Sequence, residues 1–421
     1  MKFFLIILIY LIILNFGEET NNNEFFLNWG LKNNLKLSKY IEVLTSDENK
    51  LIFKAKEDIP NNLYLIEIPY SIMFNITKIL KTIKSKNLNN QYRKFLTIDI
   101  QYDFNRFNFE KDEVFLAYFF YLIQHESKIY KANKFFENYK NYWESIKNHP
   151  IKSPLFYNEE QGQLLSGTGL FLNGLILKLM FDEEITQLKN NLYDKRTINC
   201  HDFYHHRLVI HNNGLNIFNR WTLVPFLNNL EHDYSSFNAK YIIQKNGNVK
   251  IISTKEIKKG EKIILDSDKR NNLERVLIEG KTNEKLVDYY NNYEINAFSP
   301  LVLQKYYIDE LYPFANYFIN LKETDFILQA RNIYIQLANL FNGEGTDIWA
   351  YSVLELDLSF YKDYFDNVNF KNVSQLFEDE EDRINVERIL RGGKNIINKA
   401  ILQFKDYINN DKTINLNIKD L

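Results

Sequence analysis

The segment 221–233 reads W-T-L-V-P-F-L-N-N-L-E-H-D and is the most informative part of this chain. Its apolar residues, 223–226, predict a buried segment that carries a polar cluster, 228–233, to the edge of the core. Buried amides and carboxylates cost free energy unless they meet partners or a ligand. The local pattern by itself favours a plainer interpretation, in which a strand is followed by a solvated turn.

Composition indicates a globular protein with a large core. The chain has 421 residues, of which 45% are apolar and 25% are charged, enough for two or three domains. Its 28 Tyr and 33 Phe, set against 14 Gly and 7 Pro, fit the mutational bias of an AT-rich genome. Aromatic and Asn-rich stretches are therefore weak functional signals. The formal charge of −2 gives no support to a nucleic-acid-binding protein that relies on phosphate contacts.

The N-terminus carries a targeting signal. A basic start at Lys2 is followed by an unbroken apolar run over 3–14 and a short exit over 15–18. The run is too short for an ordinary membrane span, so residues 1–17 are predicted to be a secretory signal peptide. We therefore expect entry into the secretory or endomembrane pathway, with membrane contact only through this signal. Because Phe16-Gly17 is a poor cleavage site, an uncleaved anchor is the alternative.

Two further features bear on that pathway. Cys200 is the single cysteine, which excludes an intrachain disulfide and leaves stability to packing alone. The tripeptides Asn-Ile-Thr at 75–77 and Asn-Val-Ser at 372–374 are glycosylation sequons. Such tripeptides arise by chance in an Asn-rich chain, so they support secretion only weakly.

The periodicity of apolar residues predicts an α+β fold: strands, a helical insert, strands again, and a helical tail. The predicted strands are 41–44, 51–55, 63–68, 240–245, 249–254 and 262–265, with a hairpin turn at 246–248. The predicted helices are 21–35, 113–127, 131–145, 159 onward, 185–191, 201–211, 301–318, 323–342, 352–365 and 382–408.

A series of short motifs follows the same order. They are F-x-x-W at 26–29, then Phe53, Ala55, Asp58 and Ile59, I-P-Y-S-I at 68–72, F-E-N-Y at 136–139, P-L-F-Y at 154–157, L-S-G-T at 165–168, the segment 223–232, G-E-K-I at 260–263, and L-R-G-G-K-N-I-I at 390–397. Together they resemble the SET-domain methyltransferases, in the branch of Rubisco large-subunit lysine methyltransferase and actin-histidine methyltransferase. The resemblance covers residues 22–408.

The resemblance implies an architecture and a chemistry. A SET domain would span 22–296, with a helical insert at about 76–211. An all-helical domain like the substrate-binding domain of the Rubisco enzyme would span 297–421. The family's cofactor is S-adenosyl-L-methionine, and its partner is a protein or peptide that is methylated on lysine or histidine. We expect a monomer.

Most of the family's site positions are substituted here. The glycine turn, where backbone approaches the cofactor, aligns with Lys50, Leu51 and Ile52. The Asn-His pair becomes Glu231 and His232, of which only the histidine is retained. The resemblance also assigns His211 and Asn228 to the cofactor cleft. Ser267 stands at the position of the family's catalytic tyrosine. Glu279, which is followed by a retained Gly280, stands at the position of a second tyrosine.

These substitutions leave two interpretations open. In the first, the chain is a diverged methyltransferase in which Glu231 and Glu279 face the sulfonium cation of the cofactor. In the second, it is a pseudoenzyme that keeps the fold and binds a protein or peptide. The combined loss of the glycine turn, the asparagine and the tyrosine favours the second interpretation.

A histidine-rich segment offers a weaker alternative. His201 and His205 are spaced i, i+4 on a predicted helix, a spacing suited to zinc, and Cys200 lies beside them. A zinc-dependent hydrolase is therefore conceivable. The pattern favours a polar helix face that happens to be rich in histidine, and the family has no metal in this helix.

Overall fold

The structure is a computed structural model of the chain. It describes residues 22–45, 51–83, 90, 93, 109–125, 151–192, 198–233, 236–266, 272–282, 293–296, 316–319, 326–340 and 346–410. The chain divides into two compact units. The first comprises Met1–Ile151 and Phe181–Asp268, and the second comprises Lys152–Met180 and Lys269–Leu421. The predicted domain boundaries follow the family resemblance and stay predictions.

The first unit combines short strands with helices. Its strands are β1 (Lys36–Leu37), β2 (Ile41–Thr45), β3 (Leu51–Ala55), β4 (Tyr64–Ile68), β5 (Gly214–Asn216), β6 (Trp221–Leu223), β7 (Glu231–His232), β8 (Ala239–Ile243), β9 (Val249–Ser253) and β10 (Ile264–Leu265). Its helices are α1 (Asn22–Lys32), α2 (Ile76–Ile83), α3 (Lys111–His125) and α6 (Cys200–Asn212).

A six-stranded sheet is the centre of this unit, with the strand order β1-β4-β9-β8-β10-β7. Strands β4, β9 and β8 pair antiparallel, and β10 pairs parallel with both β7 and β8. Val249, Ile251 and Ser253 alternate into the core, as a half-buried strand requires. The predicted hairpin is confirmed, because Gly247 takes a φ of +83° at its turn and β8 and β9 flank it.

The second unit is mainly helical. Its helices are α4 (Glu159–Leu164), α7 (Asn272–Glu279), α8 (Phe326–Leu340), α9 (Asp347–Asn367), α10 (Phe370–Leu376) and α11 (Glu380–Asn410), and α5 (Gly169–Leu192) begins in it. Buried residues that recur every three to four positions from Val386 to Ile408 give α11 one apolar face. The side chain of Asp379 accepts hydrogen bonds from the first backbone N–H groups of α11 and so caps it.

One prediction for the C-terminal region was wrong. The predicted helix 301–318 ends in a stretch that is β12 (Asn316–Ile319), and this strand pairs antiparallel with β11 (Tyr293–Asn296). Tyr317 and Phe318 have high strand propensity, which helical spacing alone did not reveal. The predicted helix 131–145 lies outside the described residues. Within the part of the chain that is described, every helix is too short or too polar to cross a membrane.

Candidate functional site

The first half of the segment 221–233 is buried in the first unit. Strand β6 pairs with β5, and Leu223 also exchanges two backbone hydrogen bonds with Phe74, at 2.7 and 3.0 Å. After Pro225 the backbone turns through Phe226, whose φ of +70° is rare for a residue with a large side chain. A short 3₁₀ turn over Leu227–Asn229 then leads into β7. The predicted burial of 223–226 is confirmed. The solvated turn favoured by the local pattern was wrong, because Phe226, Leu227 and Leu230 are buried in the turn that follows the strand.

Helix α1 holds the strained turn in place. The Phe226 ring stacks on Phe26 at 4.2 Å between centroids and on Trp29 at 6.3 Å. Gly30 provides the space for this ring, since a Cβ atom there would lie 2.4 Å from Phe226 Cζ. Phe26 and Phe226 are both buried. Packing against α1 therefore fixes the direction in which the chain enters the polar cluster.

The polar cluster reaches the surface. The side chain of Glu231 is 50% exposed and pairs with Lys262 Nζ at 2.8 Å. His232 is half-buried, and its Nε2 lies 3.2 Å from the carbonyl oxygen of Leu227. In the tautomer that carries the proton on Nε2, this nitrogen donates a hydrogen bond to that oxygen. Asn228 lies in the 3₁₀ turn. Glu231 and His232 thus occupy an edge strand that begins directly after the buried turn.

The substituted glycine turn is partly described. Leu51 is buried and opens β3, where it pairs with Thr45 of β2, and Ile52 is half-buried on the same strand. The bulk of Leu51 therefore fills the core and does not project outward. Lys50 and Ser267 lie outside the described residues, so their predicted places in the site stay predictions.

His211 is committed to a buried charge network. Its Nδ1 lies 3.1 Å from Oε2 of Glu113, and its ring stacks on Trp221 at 5.6 Å. The same Glu113 accepts a hydrogen bond from Arg207, which also binds Glu184 through Nε and Nη2. His211, Glu113, Arg207 and Glu184 are all buried. The position that the resemblance assigned to the cofactor cleft is thus occupied by a core group.

The electrostatics of this network keep Glu113 ionised. Burial by itself raises the pKa of the Glu113 carboxyl, but His211 and Arg207 outweigh it and hold the pKa below its ordinary value of 4.5. The Arg207 guanidinium also lies 4.8 Å from the ring centre of Phe109 and 5.1 Å from that of Phe181. The sequence pattern did not reveal this network, although an arginine directly before the apolar run 208–210 was a signal for it.

Glu279 and Gly280 lie in the second unit. The carboxylate of Glu279 pairs with Arg275 at 3.0 Å and lies 3.8 Å from Lys281. Gly280 has a φ of +72°, and a Cβ atom there would lie 2.4 Å from the backbone nitrogen of Lys152. Its carbonyl accepts a hydrogen bond from Asn385. The retention of this glycine therefore has a packing reason that is independent of catalysis.

The histidine-rich helix is partly exposed and partly buried. Helix α6 exposes His201, half-buries His205, and buries His206 and His211. A polar side chain can be buried in a helix when a partner satisfies its polar atom. His206 Nδ1 forms such a contact, a short hydrogen bond with the carbonyl oxygen of Asp202. Among the described residues, no three His, Cys, Asp or Glu side chains are grouped to hold a metal ion. The zinc-hydrolase alternative therefore gains no support from them.

Solved structures with this architecture identify the fold. The chain matches the SET domain of LSMT bound to lysine and AdoHcy with a TM-score of 0.60 and 13% identity, over 92% of each chain. It matches Rubisco LSMT bound to AdoMet with a TM-score of 0.60 and 13% identity, over 91% of this chain and 92% of that one. The chain has the SET-domain fold.

Two more findings complete the comparison. The SET-fold structure of Rubisco LSMT bound to sinefungin and monomethyllysine matches with a TM-score of 0.59 and 13% identity, over 94% of each chain. No family model matches the sequence, and no curated protein sequence matches it. The resemblance predicted from the ordered motifs is confirmed for the fold, as is the α+β class with a helical C-terminal region. At 13% identity the likeness shows the fold.

Proposed function

We propose that this chain is a SET-domain protein methyltransferase that uses S-adenosylmethionine to methylate a lysine or histidine of a protein or peptide. The full-length match to Rubisco LSMT, over 91–94% of both chains, supports this proposal most directly. The match extends through the helical C-terminal region and is not limited to a few strands. The structures it matches contain AdoMet, AdoHcy or sinefungin, and lysine or methylated lysine.

The described residues are chemically compatible with the cofactor. S-adenosylmethionine carries a sulfonium and an ammonium cation, so an accessible carboxylate is a suitable partner. Glu231 is such a group, since its exposed pair with Lys262 is of a kind that contributes only about 0.2–1 kcal/mol. His232 would border the same site with its ring fixed by the Leu227 carbonyl. The bound cofactor supplies an electrophilic methyl group, and the chain would align the acceptor nitrogen and exclude water.

A second candidate function has its own support. Glu231, at the family's asparagine position, already has Lys262 as the partner of its carboxylate. His211 is buried in the core, where it contacts Glu113. A SET-fold protein that binds a protein or peptide without transferring a methyl group accounts for both observations. In this alternative, the helical second unit would serve recognition alone.

The N-terminal run supports a proposal about location. An apolar segment over 3–14 behind Lys2 is typical of a secretory signal peptide. We therefore propose that the protein enters the secretory or endomembrane pathway.

Calorimetric titration of S-adenosylmethionine into the chain that begins at residue 18 tests the proposed function. Micromolar binding would support the methyltransferase, and no heat up to millimolar cofactor would leave the non-catalytic alternative. Glu231→Gln should weaken binding about tenfold, since a charge-assisted contact of about 1.5 kcal/mol is lost. Glu256→Gln is the matched control, because Glu256 also pairs with a lysine on the surface of the same unit but lies outside the site.

A further inference from the structure

The two glycosylation sequons lie in opposite environments. Asn75 directly precedes helix α2 in the first unit and is 1% exposed, whereas Asn372 lies on helix α10 in the second unit and is exposed. The sequence presents both tripeptides as equivalent acceptors. The fold distinguishes them, because a glycan needs an amide nitrogen that can carry a large polar substituent into water.

The amide of Asn75 is already used for structure. Its Nδ2 donates to the hydroxyl of Tyr70 at 2.9 Å and lies 3.5 Å from Oγ1 of Thr222. Its Oδ1 accepts a hydrogen bond from the backbone N–H of Lys78 at 3.0 Å, which makes Asn75 the cap of helix α2. The neighbouring Phe74 is fixed by its backbone pairing with Leu223. A sugar on Nδ2 would have no space and would break this cap.

Asn372 meets the requirements of an acceptor. Helix α10 buries Val373 and keeps Lys371, Asn372 and Ser374 exposed. Helix α10 is anchored from other positions: Asn369 caps its first turn, and Val373 is its buried contact. A substituent on the Asn372 amide would therefore point into solvent without disturbing packing.

We propose that the folded protein carries an N-glycan at Asn372 and not at Asn75. This inference rests on the proposed entry into the secretory pathway. In the reaction, Nδ2 of Asn372 forms a bond to C1 of a lipid-pyrophosphate-linked oligosaccharide. The bond from C1 to the pyrophosphate oxygen breaks, the lipid pyrophosphate leaves, and the amide nitrogen loses one proton.

Translation of the full chain in the presence of endoplasmic-reticulum microsomes tests this assignment. Protease protection of the membranes reports entry, a second protease step after detergent selects the folded fraction, and endoglycosidase treatment counts the glycans. The folded fraction should lose one glycan on digestion. Ser374→Ala and Thr77→Ala are matched variants, because each removes one sequon and leaves both asparagines in place.

The expected outcome is that Ser374→Ala abolishes the glycan of the folded fraction, whereas Thr77→Ala leaves it unchanged. A folded fraction with a glycan at Asn75, or one without a glycan at Asn372, would overturn the assignment. If the chain is not imported, the proposed location fails. Replacing residues 1–17 by the leader of a secreted host protein then tests the acceptors alone. The methyltransferase proposal depends on cofactor binding and is not affected by either result.

Discussion

Arg207 and Glu184 form a bidentate ion pair, and both side chains are fully buried. Nε of Arg207 lies 2.6 Å from Oε2 of Glu184, and Nη2 lies 3.0 Å from Oε1. Its remaining nitrogen, Nη1, donates to Glu113 at 2.9 Å. Buried pairs of this kind are retained only when nearly all of their hydrogen-bonding capacity is satisfied, because desolvation of the charges is costly.

Arg207→Met should lower the free energy of unfolding by about 3–5 kcal/mol, since it removes the guanidinium that the two buried carboxylates share. Denaturant titration followed by circular dichroism measures this change. Arg331→Met is the matched control, because Arg331 pairs with Asp347 at the surface and should cost about 1 kcal/mol or less. Equal effects of the two variants would contradict the role assigned to the buried network.

Asp357 should give the protein a pH-dependent stability. Burial raises the pKa of its carboxyl to about 7, although the hydrogen bond from the Tyr334 hydroxyl acts in the opposite direction. Because the folded-state pKa exceeds the ordinary value of 3.8, ionisation is disfavoured in the folded state. The stability present below pH 4 is therefore lost as the pH rises through 7.

Asp357→Asn should remove this loss and stabilise the protein at pH 8 by up to about 4 kcal/mol relative to the native chain. Unfolding measured at pH 4 and pH 8 gives the difference. Asp363→Asn is the control, since Asp363 lies on the same helix with an exposed side chain. An unchanged pH slope in the Asp357 variant would show that this carboxyl does not titrate across that range.

Gly280→Ala should be more destabilising than Gly260→Ala. Both glycines have a positive φ, +72° and +83°, so both variants incur backbone strain of about 1–2 kcal/mol. Only at position 280 would the new Cβ atom also meet backbone, 2.4 Å from the nitrogen of Lys152, whereas nothing lies within 4 Å at position 260. Thermal unfolding should therefore show an additional cost of about 1–3 kcal/mol for Gly280→Ala. Similar costs at both positions would exclude this close approach.

Gly30→Ala should destabilise the first unit although alanine favours helices. Its Cβ atom would lie 2.4 Å from Cζ of Phe226, and the predicted cost is about 1–3 kcal/mol. Gly174→Ala is the matched control inside helix α5. There the nearest atom is 3.7 Å away, so the change should stabilise by about 0.5–1 kcal/mol. Stabilisation by both variants would mean that the Phe226 turn does not depend on helix α1.

The sequence by itself determined the features that depend on neighbouring residues. The hairpin at Gly247 and the strand that ends at Ile68 follow from local alternation and turn chemistry. The ordered motifs sufficed to indicate the SET fold, because their sequence of apolar runs and turns is spread over most of the chain. Of the candidate site, the burial of 223–226 before the polar residues was predicted, the strand of Glu231 and His232 was not, and Lys50 and Ser267 remain predictions.

Only the tertiary structure decided which of these residues have partners far along the chain. Glu113 meets His211 across 98 positions, and Glu231 meets Lys262 across 31. The Nδ2 atom of the buried Asn75 lies 3.5 Å from Oγ1 of Thr222, 147 residues away. Local periodicity reports which face of an element is apolar. Whether a polar group on that element is buried in the core or available at a site depends on the charged or hydrogen-bonding partner that another element provides.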